Sequence, residues 1–229
     1  MLLLAMDTST PQVTVALAEL LPSDEEPRVL AERAVIAANR HGELLAPLVE
    51  EVLRASGARR TDLAAVAVGL GPGPFTGLRV GIVTAAALAD ALGIPMYGAG
   101  SLDVLARAQP RDGSDFLVVT DARRKQVYWA HFTGAGERAG GPELEPPQLL
   151  ADRFRGQVRR VAGAGALLHR HAFDGFDVDE RSPYPLAADL ARAVADRARR
   201  QEPADAPEPL YLRRPDARPP GAPKAVTPA

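Results

Sequence analysis

At 229 residues with 46% hydrophobic positions, the chain can bury one large core or two smaller ones, which excludes wholesale disorder. A net charge of −2 excludes a global basic field that would hold nucleic acid by itself and leaves room only for local patches. The lack of cysteine excludes disulfides and thiolate metal sites and fits a reducing compartment, so a cytoplasmic location is expected.

The first residues, MLLLAMDTST, have no basic flank, and their apolar run stops at Asp7. That is too short for a secretory signal or a membrane span, and no membrane association is expected. Leu2–Met6 reads as a buried strand, broken by Asp7-Thr8-Ser9-Thr10 and Pro11. Gln12–Glu19 alternates in polarity and pairs back as a hairpin. Pro22–Pro27 is an acidic turn and Val29–Ile36 a third strand. From His41 to Ser56 the period becomes helical, with Leu44, Leu45, Leu48, Val49, Val52 and Leu53 in one broad stripe and Gly57 as C-cap. A strand at Ala64–Val68, a Gly-Pro loop, a long helix at Thr76–Leu92 and a short strand at Pro95–Tyr97 complete a first lobe over residues 1–99.

The second lobe, residues 100–200, opens with a short helix at Ser101–Ala108, N-capped by Ser101. Phe116–Thr120 and Val127–Phe132 form a strand pair across Asp121–Gln126. Gly134–Pro147 reads as a connection rich in Gly and Pro. A weak strand at Arg159–Ala162, a short helix to about His171 and a longer one at Leu186–Arg199 follow. Residues 201–229 hold eight of the 21 prolines and read as a tail. This order predicts an α/β chain with mixed sheets flanked by helices and a coarse duplication of its two halves.

Four segments carry chemistry or recognition. Asp7-Thr8-Ser9 ends a first strand, where a carboxylate can bind a metal–phosphate and hydroxyls can donate to phosphate; the same residues also make an ordinary polar turn. The loop GLGPGPFTG (Gly69–Gly77) brings Gly71 and Gly73 to a strand-to-helix junction. It lacks the last glycine of a dinucleotide fingerprint, replaced by Pro74, and the Gly-Lys-Ser/Thr of a Walker loop. The helix that follows has Gly77, Gly81 and Ala85 every four residues and is apolar nearly all round, which points to burial by this chain or by a partner. Arg123, Arg124 and Lys125 lie in a turn followed by Tyr128 and Trp129, either a solvated turn or an RNA contact. The four histidines form no H-x-x-x-H pair and no Gly-x-Ser-x-Gly elbow is present, so neither a metal site nor a catalytic set is expected.

The segments MDTST, RHGELLAPLVEEVL (Arg40–Leu53), Gly69–Ala106, DARRKQVYWAHF (Asp121–Phe132) and PLYLRRP (Pro209–Pro215) together resemble the TsaB (YeaZ) family. The resemblance implies an actin-like ATPase fold of the ASKHA, ribonuclease H-like type with two related lobes. It implies a part in forming N6-threonylcarbamoyladenosine beside the anticodon of tRNAs that read codons beginning with A. The catalytic subunit of that pathway is the paralogue TsaD, which transfers threonylcarbamoyl from an adenylate to the adenosine. The family implies a non-catalytic scaffold that binds TsaD through its two N-terminal helices, with the ATPase TsaE joining them and tRNA bound by the complex. Where TsaD has its H-x-x-x-H metal pair, this chain has Ser101 and Leu105, which cannot replace two imidazoles. Pro74 stands where the family loop has Ser, so no tightly bound ATP or ADP is expected, and Asp7, Thr8, Gly71 and Gly73 are candidates only for a remnant nucleotide cleft.

The partner face is assigned to Leu45, Leu48, Val49 and Val52 on the first helix and Gly77, Val80, Gly81, Val83 and Thr84 on the second. In isolation these faces would pair in a homodimer. The alternatives are a stand-alone ASKHA ATPase or kinase using Asp7 and the Gly-Pro loop, and direct tRNA binding through Arg123–Lys125.

Overall fold

A computed structural model describes residues 1–22, 25–204, 206 and 208–213. The first lobe runs β1 (Leu2–Asp7), β2 (Gln12–Glu19), β3 (Arg28–Ile36), α1 (His41–Ser56), β4 (Leu63–Gly69), α2 (Phe75–Leu92) and β5 (Met96–Ala99), and α3 (Ser101–Arg107) follows it. The second runs β6 (Phe116–Asp121), β7 (Val127–Phe132), β8 (Arg138–Glu145), α4 (Pro147–Phe154), β9 (Arg160–Ala162), α5 (Ala164–Leu168), β10 (Asp177–Asp179) and α6 (Ala187–Arg199).

The two sheets have one topology. Their strand orders are β3-β2-β1-β4-β5 and β8-β7-β6-β9-β10. In each, the central strand pairs antiparallel with the next strand in sequence and parallel with the fourth. The duplication expected from the element order is therefore present strand for strand.

Side-chain size on the strands decides which helix covers which face. On the first sheet Leu4, Met6, Val13, Val15, Leu17, Val66 and Val68 point to α1 and α2. Their alternate neighbours Leu3, Ala5, Ala16, Ala18, Ala65 and Ala67 point to α6. That mostly alanine face matches the alanines of α6, Ala187, Ala188, Ala191, Ala195 and Ala198, so helix and sheet approach closely. The first turn of α6 has no side-chain cap of its own. Its orphan N–H groups are met by the first sheet instead: Ala187 donates to Thr14 Oγ1 at 3.1 Å and Ala188 to Glu32 Oε1 at 2.9 Å.

The helix at Ala187–Arg199, placed by its sequence position in the second lobe, thus belongs by packing to the first sheet, while α3 packs on the second through Leu102, Leu105 and Ala106. Helix α3, just past residue 99/100, thus packs with the lobe that follows it, and α6 is the helix that crosses to the other lobe's sheet. Layers run from α1/α2 through the first sheet, α6 with α3, and the second sheet to α4/α5.

Three local expectations change as well. Gly134–Pro147 is not a connection throughout, since Arg138–Glu145 forms the edge strand β8, and α4 follows directly. An edge strand tolerates Pro142 because one side of its backbone needs no ladder partner. The N-cap of α3 is Gly100; Ser101 is already helical and its hydroxyl faces elsewhere. The tail reading applies to residues 201–229, of which 205, 207 and 214–229 lie outside the described residues. Within the described part, Leu210 donates its N–H to Leu70 O at 2.8 Å, so this segment is docked on the body.

Candidate functional site

The turn after β1 and the loop after β4 are built into each other. Ser9 N–H donates to Asp7 Oδ1 at 2.7 Å and closes the turn, while Ser101 Oγ donates to Asp7 Oδ2 at 2.7 Å. Gly71 N–H donates to Ser101 Oγ at 3.2 Å and Ser101 N–H returns a bond to Gly71 O at 2.7 Å. Asp7 is fully buried, and burial pushes its carboxyl above the usual range against the opposing pull of the Ser9 and Ser101 hydrogen bonds.

Glycine is required where the elements touch. A Cβ on Gly69 would lie 1.9 Å from Asp7 Oδ2, and one on Gly73 would lie 2.2 Å from Ser9 O. Thr8 ties the turn to α2: its hydroxyl donates to Gly77 O at 2.7 Å and accepts from Gly81 N–H at 3.0 Å. The small ridge Gly77–Gly81 therefore faces Thr8 of the same chain. His41, the first residue of α1, donates from Nε2 to Thr10 O at 2.7 Å, a structural use of that ring.

The remnant-cleft candidates are thereby placed. Asp7, Thr8 and Gly71 are sealed in the packing between turn and helix, and Gly73 lines the open cleft above them. Ser101 and Leu105 are committed to Asp7 and to the second core. Among the described residues no three His, Asp or Glu side chains are grouped to hold a metal ion.

The cleft has a volume of about 530 Å³ and lies between the turns after β1 and β6. The second turn repeats the first: Asp121, the last residue of its strand, accepts from Arg123 N–H two positions on at 2.9 Å, as Asp7 accepts from Ser9. Arg123, Arg124 and Lys125 all have left-handed backbone, with φ of 59°, 52° and 58°. Arg123 and Arg124 line the cleft, and Lys125 is exposed on the same turn. The C-terminal segment forms another wall that the chemistry of the sequence did not single out. Tyr211 stacks on Phe75 at 5.2 Å and accepts from Arg79 Nε at 3.0 Å, while Arg213 donates to Ala122 O at 3.0 Å and to Gln126 Oε1.

The residues assigned to a partner face divide. Leu45, Leu48, Val49 and Val52 are buried against the first sheet, so the stripe on α1 serves this chain's own core. Gly77 and Gly81 are buried under Thr8. Val83 is 63% exposed, with Val80 and Thr84 half-buried beside it. Thr76, Val80, Val83 and Ala87 recur at helical spacing along the outer side of α2. The adjoining α1 exposes Gly42, Ala46 and Pro47. Helix α2 is the one among the described residues with the length and apolarity to cross a membrane, at mean hydropathy 1.4, and the sheet covers its inner side.

Residues 34–162 match the family model TsaD, tRNA N6-adenosine threonylcarbamoyltransferase. An uncharacterized protein of Mycobacterium tuberculosis is 42% identical over 217 residues, covering 94% of this chain and 93% of that protein. The tRNA threonylcarbamoyladenosine biosynthesis protein TsaB of Escherichia coli is 37% identical over 143 residues, 58% of this chain and 55% of that protein. Among solved structures, a Pseudomonas aeruginosa protein described as similar to peptidase YEAZ aligns at TM-score 0.75 and 30% identity, over 93% of this chain and 99% of the other. YeaZ of Pseudomonas aeruginosa aligns at TM-score 0.73 and 29% identity, over 92% and 99%. The fold is the two-lobed actin-like, ribonuclease H-like one. With a family model over more than half its length and YeaZ-type structures over nearly all of it, the chain belongs to the TsaB family.

Proposed function

We propose that this chain is an accessory, non-catalytic subunit in threonylcarbamoyladenosine formation on tRNA, and that it docks a TsaD-type transferase with the outer side of α1 and α2. The observation that carries this reading is the outer side of α2. A helix already packed on its own sheet keeps Val83 63% exposed on a stripe of short, apolar residues. Small side chains on two neighbouring helices let a second helix pair approach closely, and about 800 Å² per partner suffices for a stable complex. The biosynthetic role is that in the names of the relatives from E. coli and Bacillus subtilis.

Asp7, the carboxylate at the turn of the hairpin, is sealed under Ser101 and offers no face to a substrate. That supports a scaffold over a stand-alone ATPase or kinase. A TsaE-type ATPase joins the pair, tRNA enters through the complex in the cytoplasm, and without its partner the chain pairs through the same face as a homodimer. Co-expression with the TsaD-type protein of the same organism, followed by sizing, tests this reading: one peak holding both chains supports it, and two separate peaks reject it.

A further inference from the structure

Resting on the tRNA-modification reading, and going beyond it, we propose that the cleft between the two hairpin turns binds one unpaired nucleotide of an RNA chain. Among the described residues its walls carry three guanidinium groups, from Arg123, Arg124 and Arg213, against one carboxylate, Asp121. Asp121 is already engaged by Arg123 N–H, and Arg213 is fixed in place by Ala122 O and Gln126 Oε1. Arg123 and Arg124 are exposed. Planar guanidinium groups pair with phosphate oxygens two at a time, and they do so most strongly at a concave site. The left-handed backbone of both residues is an unusual conformation for arginine, and it sets them on the cleft side of the turn.

The cleft also offers a ring. Tyr211 stacks on Phe75 at 5.2 Å and is held there by Arg79, whose guanidinium lies 4.3 Å from the Phe75 centroid and donates to the Tyr211 hydroxyl. Tyr211 is 39% exposed and lines the cleft. Base stacking on such a ring is sequence-tolerant and needs an unpaired base, because a duplex hides its base faces. The volume of about 530 Å³ admits a mononucleotide unit and not a helix.

A free nucleoside triphosphate fits less well. Gly73 turns its open side onto Ser9 O, and Asp7, the carboxylate suited to a metal–phosphate, lies sealed beneath the floor. One phosphodiester held by arginines is what the walls suit.

The test uses the full chain and a fluorescein-labelled RNA hairpin with an unpaired loop, read by anisotropy over a salt series. Substituting both Arg123→Gln and Arg124→Gln is expected to weaken binding about tenfold and to reduce the slope of log K against log salt by about one to two. Arg59→Gln with Arg60→Gln, the same charge change at the opposite end of β4, is expected to stay within about twofold. Arg123→Lys with Arg124→Lys is expected to restore the salt slope and only part of the affinity, which separates loss of charge from misfolding of the turn. The proposal is overturned if the glutamine pair binds the hairpin like wild type, if the remote pair loses as much, or if AMP binds as tightly as the hairpin. Heterodimer formation is scored separately by sizing. Loss of RNA binding with the heterodimer intact supports the cleft assignment, whereas loss of the heterodimer with RNA binding intact refutes the docking face alone.

Discussion

Ser101 Oγ donates a 2.7 Å hydrogen bond to Asp7 Oδ2 across 94 residues of sequence, with both side chains buried. It fastens the first turn of α3, a helix of the second core, to the end of the first strand. The Ser101 hydroxyl thus ties the two lobes together.

Burial raises the Asp7 carboxyl above the usual carboxylate range. Between that range and the raised value, the folded chain holds a proton that the unfolded chain has released. Stability therefore falls as pH rises through this window, and the loss is complete above the raised value. Asp7→Asn keeps an acceptor for Ser9 and removes the titration. Urea midpoints of the wild type should fall relative to those of Asp7→Asn as pH rises from about 4. Parallel curves for the two proteins would contradict the account.

Gly81→Ala decides between propensity and packing. Alanine in a helix interior normally gains roughly 0.5–1 kcal/mol over glycine. At this position the added Cβ would lie 2.4 Å from Thr8 Oγ1, inside the pair of bonds that hold the turn to α2. A loss of about 1–3 kcal/mol is expected in chemical denaturation. A stabilised variant would show that Thr8 can yield.

Calorimetry with ATP and Mg²⁺ separates the scaffold from the stand-alone ATPase or kinase. With Asp7 sealed, the expected result is no saturable binding and no phosphate release by the isolated chain. Micromolar binding with turnover would favour the enzyme reading.

The first lobe was legible because its elements are long and strongly patterned. The strand alternation of Gln12–Glu19, the stripe on His41–Ser56 and the αL glycine at Gly57 each name an element, and the structure places them at those residues. The second lobe was harder to read. β9 and β10 have three residues each, and β8 carries Gly140, Gly141 and Pro142, which signal a loop unless the strand is known to sit at an edge. The crossing of α6 to the first sheet leaves no trace in element order, since only the match of alanine faces reveals it. Periodicity identified the apolar stripe on α1, yet it could not say whether a partner or the chain's own sheet covered it. The cleft was half legible: the arginine turn stands out, whereas the docking of Tyr211 and Arg213 is a tertiary event.

The central claim is that the outer side of α2, not the stripe on α1, meets the transferase. Leu45 is 1% exposed, so Leu45→Glu buries a carboxylate in the first core, and a loss above about 4 kcal/mol is expected to unfold the chain. Val83→Glu places the same charge on the surface and leaves the fold intact. The decisive measurement is sizing of Val83→Glu co-expressed with the TsaD-type partner, alongside its thermal midpoint. The account predicts a folded variant that elutes apart from the partner, and a Val83→Glu chain that still co-elutes with it would contradict the account.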